Sequence, residues 1–212
     1  MNDPISRAQF LRLTALSASL FVVSSDARAS ENEITRAMIL NDPETPTGGN
    51  PNSDLTIVDF FDYNCPYCKL AAKSLEKIVK TDGNIRLVYR DWPILAETSI
   101  IGARLALAAK YQGQYLPVHH ALMDIPGYGV SQEQMMEAVR NAGLDLAQLD
   151  TDIARHADDI AGLIKRNLNI AQAIGLQGTP GFLIGPYRVN EALNEQGFMR
   201  VVADARARQK TK

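Results

Sequence analysis

Cys65 and Cys68 are the two cysteines of the 212-residue chain, and only Pro66 and Tyr67 separate them. Two thiols at this spacing can close a small disulfide, open it again and so exchange electrons with the thiols of another protein. A second cysteine pair is missing from the sequence, which excludes a scaffold of several disulfides and a four-cysteine zinc site. The segment therefore predicts a redox-active dithiol.

The chain around this segment predicts where the two sulfur atoms lie. The run Leu55–Phe61 is β-branched and aromatic and predicts a buried strand, and Pro66 suits the first position of a following helix. Cys65 then lies at the helix N-terminus, where unpaired N–H groups and the helix dipole stabilise a thiolate and lower its pKa. Cys68 lies one turn further into the helix and keeps a more ordinary thiol. We expect Cys65 to be the attacking and leaving sulfur, and Cys68 to be the resolving one.

Two other interpretations of the cysteine pair are a metal site and a structural disulfide. A metal site would need further ligands, but none of the three histidines, His119, His120 and His156, has a zinc-finger spacing to the cysteines. We therefore predict no metal site and helix-face positions for the histidines, with a copper-binding protein that uses His119 or His120 as the alternative. A structural disulfide across four residues would restrain the unfolded chain little.

A second motif, Gly178-Thr179-Pro180-Gly181, lies more than a hundred residues after the cysteines and just before an expected strand. It is compatible with an ordinary turn. A cis bond before Pro180 would cost only about 0.5–1 kcal/mol relative to trans. It would leave the Thr179 backbone free to pair with an extended peptide by strand addition.

The order of the expected elements indicates the fold class. A loop over 41–54 precedes the first strand, a helix runs from Pro66 to about Val79, and a second strand follows over 85–90. Residues 97–175 have helical periodicity with few interruptions. The C-terminal part predicts a hairpin of residues 182–184 and 187–189, and a helix from about Glu195. We interpret the chain as one α/β sheet with a helical insertion.

Three segments together resemble a known family. Phe60–Lys69, Trp92–Leu95 and Gly178–Gly181 are similar to the exported DsbA-like thiol:disulfide oxidoreductases of the thioredoxin superfamily. The resemblance covers nearly all of the chain after residue 29. It implies a thioredoxin-like α/β fold with an inserted helical domain, made of a first part (30–96), the insertion (97–175) and a second part (176–212).

The resemblance also implies roles for particular residues. Thr179 and Pro180 would form the cis-proline loop over the sulfurs and contact the substrate. Asp59, six positions before Cys65, occupies the place of a buried acid in the family, where it would take up a proton as Cys68 becomes a thiolate. A solvent-facing Asp59 at a strand edge is the alternative, and Arg90 is a guess for its partner.

The first residues predict export. An apolar run of eleven residues from Leu13 follows Arg7 and Arg12, and Ala27-Arg28-Ala29 has the small-residue pattern that a signal peptidase recognises. We expect residues 1–29 to be a signal peptide that is cut after Ala29, and the protein to be periplasmic or secreted. An ordinary N-terminal helix in a cytosolic glutaredoxin-like reductase is the alternative.

Charge and family resemblance together predict the partners. The net charge is −2 and no block of like charges occurs, so nucleic acid is not expected as a partner. We expect reduced or unfolded exported proteins as substrates and no cofactor. The resemblance implies a membrane-bound, quinone-linked oxidase as the reoxidising partner. Dimeric isomerases of this family have an N-terminal dimerisation domain, for which residues 30–40 leave no room, so we expect a monomer.

The dipeptide between the cysteines bears on the direction of the reaction. The strongest oxidases of the family have Pro-His there, and Tyr67 cannot supply the charge of a histidine. We therefore expect a dithiol oxidase that is less oxidising than those members, with an isomerase or reductase of the same fold as the alternative. A substrate groove could be lined by Tyr63, Tyr67, Trp92 and Tyr128, which could equally be packing residues.

Overall fold

The fold comes from a computed structural model that describes residues 34–211. The expected signal peptide and its cleavage site lie outside these residues. The strands are β1 (Thr47–Gly49), β2 (Leu55–Phe61), β3 (Ile85–Asp91), β4 (Gly181–Ile184) and β5 (Tyr187–Val189). The helices are α1 (Arg36–Leu40), α2 (Pro66–Asp82), α3 (Glu97–Ala109), α4 (Tyr115–Asp124), α5 (Gln132–Asn141), α6 (Leu146–Arg155), α7 (Ala157–Ala173) and α8 (Glu195–Lys210), with a short 3-10 helix at Lys110–Gln112.

The five strands form one mixed sheet in the order β1-β3-β2-β4-β5. The central strand β2 is parallel to β3, and α2 makes the crossover between them. β4 pairs antiparallel with β2, and β5 pairs antiparallel with β4 as the predicted hairpin. This arrangement places the carboxyl end of β2, and with it the cysteine segment, beside the start of β4.

Both faces of the sheet are buried, as the continuous apolar runs of β2 and β3 predict. Because successive strand residues point to opposite faces, Leu55, Ile57 and Phe61 join the core shared with α2 and the α3–α7 helices. Val58 and Phe60 lie on the other face, in a smaller cluster with residues of α7.

Helix α2 begins at Pro66 as predicted and ends at Asp82, beyond the expected end near Val79. Gly83 stops it in the left-handed conformation that glycine adopts without strain, with φ 69°. Cys68, Ala71 and Leu75 recur on the buried side at helical spacing, whereas Leu70 points away from them and is exposed.

Five helices occupy the segment between β3 and β4, where the sequence predicts helical structure. Ser131 and Gln134 form a capping box at the start of α5, since each side chain accepts the backbone N–H of the other residue. Buried residues of these helices, including Leu105 and Leu122, pack in the same core as the sheet. The division into inserted and flanking domains stays a prediction.

The composition predicted a loop over residues 41–54, but three of these residues form a strand. Thr47–Gly49 pair antiparallel with β3, with Thr47 opposite Val88. The turn-forming residues predicted a loop, but the edge of β3 supplies backbone partners that composition does not show. Gly49 has φ 68°, and a Cβ there would collide with the Ile85 carbonyl oxygen, so this edge strand requires glycine.

The proposed pairing of Arg90 with Asp59 was wrong. Alternation along parallel β2 and β3 places the two side chains on opposite faces of the sheet. The fully buried Arg90 instead donates to the carbonyls of Met38 and Ile39 and to Asn167 Oδ1, at 2.6, 2.7 and 2.8 Å. Its Nη1 also lies 3.6 Å from an Asp42 carboxylate oxygen. Arg90 thus ties α1 and α7 to the sheet.

Within residues 34–211, no helix is long and apolar enough to cross a membrane.

Candidate active site

The two cysteines lie at the junction of β2 and α2. Cys65 is the N-cap residue of α2, and its Sγ accepts the backbone N–H of Cys68 at 3.3 Å. Pro66 occupies the first helical position, where the missing N–H costs no helical hydrogen bond. The Cys65 sulfur therefore stands among the unpaired N–H groups of a helix start, as the sequence predicts.

The two thiols differ in acidity. The pKa of Cys65 falls from 9.0 to about 6, chiefly because the Cys68 thiol donates a hydrogen bond to its sulfur. Burial opposes this effect, while the Thr179 side chain and the backbone amides of Cys68 and Tyr67 add to it. The pKa of Cys68 is raised well above 9.0, mainly by burial and then by its role as donor to Cys65. At neutral pH the pair holds one thiolate, on Cys65.

The Thr179-Pro180 motif lies directly against Cys65, 114 residues away in sequence. The Thr179–Pro180 peptide bond is cis, and the Cys65 thiol donates to the Thr179 carbonyl oxygen at 3.3 Å. Among the described residues, the buried Thr179 Oγ1 has no hydrogen-bond partner. Because this hydroxyl donates to no other group in the described part of the chain, it can donate a hydrogen bond to the Cys65 thiolate.

Asp59 is buried, so the solvent-facing alternative is wrong. Only 3% of the residue is exposed, and its side chain is on the sheet face that α2 covers. Burial raises its pKa from 3.8 to about 8, with smaller contributions from the charges of Asp91 and Cys65. No residue in the described part of the chain hydrogen-bonds Asp59 Oδ1. Its charge in turn raises the pKa of Cys68.

Two residues that hold the site together, Asp62 and Asn64, were not predicted. The buried Asp62 carboxylate accepts the backbone N–H groups of Asn64, Ile94 and Leu95 at 2.7–2.9 Å. It thereby fixes the segment after β3 beside the cysteine turn. An Asp at the start of a turn is a weak signature of such a contact, but its long-range partners are visible only in the fold.

Asn64 connects the cysteine turn to the helices. Its fully buried amide donates to the hydroxyls of Thr98 and Ser99, at 2.9 and 3.1 Å, and its Oδ1 accepts from the Val130 backbone N–H at 2.8 Å. All the hydrogen-bonding roles of this carboxamide except one lone pair are therefore satisfied.

Lys69 is a third anchor that was not predicted. Its Nζ donates to the Gly127 carbonyl oxygen at 2.9 Å, although Lys69 is a buried residue next to Cys68. Burial lowers its pKa, against the opposing charges of Asp62 and the two cysteines. The turn 126–129 is thus held over the first turn of α2.

The four aromatic residues proposed for a groove divide into two pairs. Tyr67 and Tyr128 are each 64% exposed, whereas Tyr63 and Trp92 are buried packing residues. The Tyr128 hydroxyl donates to the Leu95 carbonyl oxygen at 3.3 Å. The exposed apolar residues of the segments around the cysteines form what we call the apolar rim: Tyr67, Leu70, Ile94, Leu95 and Tyr128.

The histidines are not arranged as cysteine co-ligands. His119 is buried among the rings of Phe61, Tyr89 and Tyr115, and its Nδ1 is 3.0 Å from the Tyr63 hydroxyl. Burial lowers its pKa to about 3, so it stays neutral. His119 thus lies on the buried face of α4. In the part of the chain that the structure describes, no three His, Cys, Asp or Glu side chains are grouped to hold a metal ion.

The fold and this site define the class of protein. A thioredoxin family model matches residues 41–204, and the chain belongs to the thioredoxin family. The predicted thioredoxin-like α/β fold is confirmed, and so is the resemblance to the DsbA-like branch of that superfamily.

Three solved structures illustrate the relationship. A thioredoxin-like oxidoreductase from Silicibacter pomeroyi DSS-3 is 40% identical, with a TM-score of 0.77 over 82% of this chain and 99% of that one. A periplasmic thioredoxin-like protein from Salmonella enterica serovar Typhimurium is 31% identical, with a TM-score of 0.71 over 82% and 99%. The thiol-disulfide exchange protein alpha-DsbA2 from Wolbachia pipientis is 30% identical, with a TM-score of 0.74 over 79% and 90%.

The chain also matches part of larger curated proteins. It is 26% identical to Na(+)/H(+) antiporter NhaA 1 of Mycobacterium sp. (strain KMS) over 66% of this chain and 23% of that protein. The chain thus spans about a quarter of the length of these relatives.

Proposed function

We propose that the protein is an exported thiol:disulfide oxidoreductase that introduces disulfides into other exported proteins through the Cys65–Cys68 pair. Thiol-disulfide exchange as a general activity follows from its family and structural neighbours. The observation that carries the proposal is the asymmetry of the pair, with an acidic Cys65 thiol against the Thr179 carbonyl and a buried Cys68 thiol behind it.

The reaction begins with the Cys65–Cys68 disulfide. A substrate thiolate attacks the Cys65 sulfur, the bond between the two cysteines breaks, and Cys68 leaves as a thiolate. The second substrate thiolate then attacks the substrate sulfur of this mixed disulfide and releases Cys65 as a thiolate. Two substrate thiols are oxidised to a disulfide and the pair is reduced to the dithiol. Because the Cys65 thiolate is stabilised, it is a good leaving group in the second step.

Asp59 is the proposed proton donor and acceptor for Cys68 inside the protein. The Cys68 thiolate that leaves in the first step lies beneath the surface, where its charge is unfavourable. A protonated Asp59 gives it a proton, and in the reverse direction an ionised Asp59 removes that proton. A carboxyl with a pKa of about 8 can act either way near neutral pH.

Thr179 and Pro180 form the proposed substrate contact. Strand β4 begins at Gly181, directly after them, so the Thr179 backbone continues the line of a strand beside the sulfur. An extended peptide can add there through main-chain hydrogen bonds. The apolar rim would receive the side chains of that peptide.

The direction of the reaction distinguishes the oxidase from an isomerase or reductase. Tyr67 carries no positive charge, so one stabiliser of the thiolate that the strongest oxidases have is missing. Equilibration of the Cys65–Cys68 pair with glutathione measures its reduction potential. A value well above about −200 mV supports the oxidase, and one near −270 mV, as in thioredoxin, supports the reductase.

Export and partners complete the proposal. The Salmonella relative is a periplasmic thioredoxin-like protein, and this supports the same compartment here. Reduced exported proteins are then the substrates, and a membrane-bound, quinone-linked oxidase the reoxidant. The transport activity in the antiporter names belongs to proteins of which this chain spans about a quarter, so we do not extend it to this protein.

Oxidative refolding of a reduced secreted protein, such as ribonuclease, tests the proposed activity. Disulfide-loaded wild-type protein should restore ribonuclease activity, and a Cys65→Ser variant should not. Lys80→Ser, a change at an exposed position of the same helix, should behave as the wild type. Undiminished refolding with Cys65→Ser would overturn the proposal.

A further inference from the structure

A second carboxyl group lies buried beside Asp59. Asp91 is the last residue of β3, is 1% exposed, and points to the same sheet face as Tyr89. Its Oδ2 accepts the Tyr115 hydroxyl at 2.9 Å. Within residues 34–211, Asp91 Oδ1 has no hydrogen-bond partner, and neither has Asp59 Oδ1. Two carboxyl groups thus lie in one buried region, and each has one oxygen without a hydrogen-bond partner among these residues.

The register of the sheet brings the two residues close. Asp59 is the direct partner of Tyr89 in the parallel pair, so Asp91 lies two positions further along the neighbouring strand. With strands about 4.8 Å apart and a rise of about 3.3 Å per residue, their Cα atoms are roughly 8 Å apart. In a dry interior, two negative charges at such a distance oppose each other strongly.

No ion pair within residues 34–211 compensates for two charges. The buried Lys69 donates to the Gly127 carbonyl oxygen, and the charges that act on it are those of Asp62 and the two cysteines. The titratable groups that face the pair are carboxyl, phenol or thiol groups and a neutral imidazole: Asp62, Tyr63 and Cys65 after β2, Cys68 and Glu76 of α2, Tyr89 of β3, and Tyr115 and His119 of α4. In the described part of the chain, no Lys or Arg nitrogen is within 4.0 Å of either carboxylate. Arg90 points to the other face.

We propose that Asp59 and Asp91 form a buried carboxyl pair that holds one proton between them, and that Asp91 acts through Asp59 to control when the Cys68 proton can be accepted. Asp91 is in this sense a positioning residue, and the Tyr115 hydroxyl fixes it. This inference rests on the proposed exchange reaction and deepens it.

The acidities of the two groups agree with a shared proton. Burial is the largest cause that raises the pKa of Asp59 to about 8, and the charge of Asp91 is the next. Burial also raises the pKa of Asp91 to about 7, although the Tyr115 hydrogen bond opposes it. Two groups that titrate in one range and repel each other lose their protons in two steps that belong to the pair.

The proton step is balanced within the protein. When Cys68 attacks a mixed disulfide on Cys65, its S–H proton passes to the ionised Asp59, and the new Cys68 thiolate displaces the substrate thiolate. Asp59 ends the step protonated, and no outside oxidant or reductant enters it. If Asp91 is neutral, Asp59 ionises at lower pH and can accept this proton at lower pH.

Reaction of the reduced protein with the aromatic disulfide 5,5′-dithiobis(2-nitrobenzoate) separates the two sulfurs. Attack by Cys65 releases the first thionitrobenzoate, and attack by Cys68 on the resulting mixed disulfide releases the second, both followed by absorbance. The pH midpoint of the second phase reports deprotonation of Cys68 through Asp59. We expect Asp91→Asn to move that midpoint down by about one pH unit and to leave the first-phase midpoint unchanged.

Two further variants make the test specific. Tyr115→Phe removes the hydrogen-bond donor to Asp91, so Asp91 holds the shared proton more firmly. Asp59 then ionises at lower pH, and the midpoint of the second phase moves down by less than in Asp91→Asn. It also serves as the test if Asp91→Asn does not fold. Asp204→Asn, at an exposed position of α8, should change neither phase.

The outcomes separate this inference from the proposed function. A second midpoint unchanged in Asp91→Asn and Tyr115→Phe, or an equal shift of both phases, would overturn the carboxyl pair and leave disulfide exchange intact. Release of only one thionitrobenzoate per wild-type protein would contradict the exchange reaction itself.

Discussion

Replacement of Thr179 by valine should weaken the stabilisation of the Cys65 thiolate. Valine has nearly the shape of threonine, so the buried site keeps its packing and loses one hydroxyl. In the dithiol the Cys65 thiol donates to the Thr179 carbonyl, while Thr179 Oγ1 has no partner among the described residues. When Cys65 ionises, that hydroxyl becomes a donor to the sulfur and helps to lower its pKa.

The size of the effect follows from the pKa of about 6 at Cys65. A hydrogen bond to a charged group contributes about 1.5–3 kcal/mol, and about 1.4 kcal/mol equals one pKa unit. Because other donors remain, we expect the lower end, which raises the pKa of Cys65 to about 7. At pH 7 the reduced dithiol is then less stable relative to the disulfide by about 1 kcal/mol. The reduction potential therefore becomes about 20 mV more negative.

Thiolate absorbance near 240 nm, followed through a pH titration of the reduced protein, measures this pKa. Equilibration with glutathione measures the potential on the same samples. Thr151→Val, on an exposed position of α6, is the matched control. An unchanged midpoint in a folded Thr179→Val protein would refute the assignment of the hydroxyl as a donor to the thiolate.

Three further predictions concern stability and local order. Arg90→Met leaves the carbonyl oxygens of Met38 and Ile39 and Asn167 Oδ1 without their buried donor and should lower the free energy of unfolding by about 3–5 kcal/mol in urea denaturation. Asp59 has a raised pKa in the folded protein, so it binds more protons when folded and its contribution to stability falls as the pH rises from about 4 to about 8. Asp59→Asn should therefore flatten the pH dependence of stability and stabilise the protein at pH 8 by on the order of 1–3 kcal/mol, as thermal unfolding would show. Lys69→Met removes the bond to the turn 126–129 and should speed amide hydrogen exchange there by about tenfold.

Each of these changes has a control. Arg206→Met breaks ion pairs of a more exposed arginine and should cost about 1 kcal/mol or less, so an equal loss in both arginine variants would contradict the special role of Arg90. A pH profile of Asp59→Asn parallel to that of the wild type would exclude titration of Asp59 in this range. Lys80→Met should leave exchange in the turn unchanged, and an unchanged rate in Lys69→Met would contradict the tether.

The main elements of the fold were predictable because local patterns agree with tertiary packing. The apolar runs of β2 and β3 and the helical periodicity of residues 97–175 define these elements without knowledge of their partners. Strand β1 was missed because three residues rich in glycine have no strand pattern of their own, and only the free edge of β3 makes them a strand.

At the site, the sequence identified the groups that react and missed those that hold them. The cysteine pair, Asp59 and the Thr179-Pro180 motif have recognisable types and spacings. Asp62, Asn64 and Asp91 do not, since an Asp or Asn in a turn or at a strand end is common and its partners lie far away in the chain. Arg90 was named as the partner of Asp59 without knowledge of the β2–β3 register, which places the two side chains on opposite faces of the sheet.

Trapping of a mixed disulfide tests the central claim most directly. A Cys68→Ser variant, incubated with a peptide that contains a disulfide, should accumulate a covalent complex in which mass spectrometry finds the peptide on Cys65. A Cys65→Ser variant should form little or none under the same conditions, because its remaining thiol is buried and its pKa is raised. A complex that forms equally well through Cys68 in the Cys65→Ser protein would contradict the account of the site.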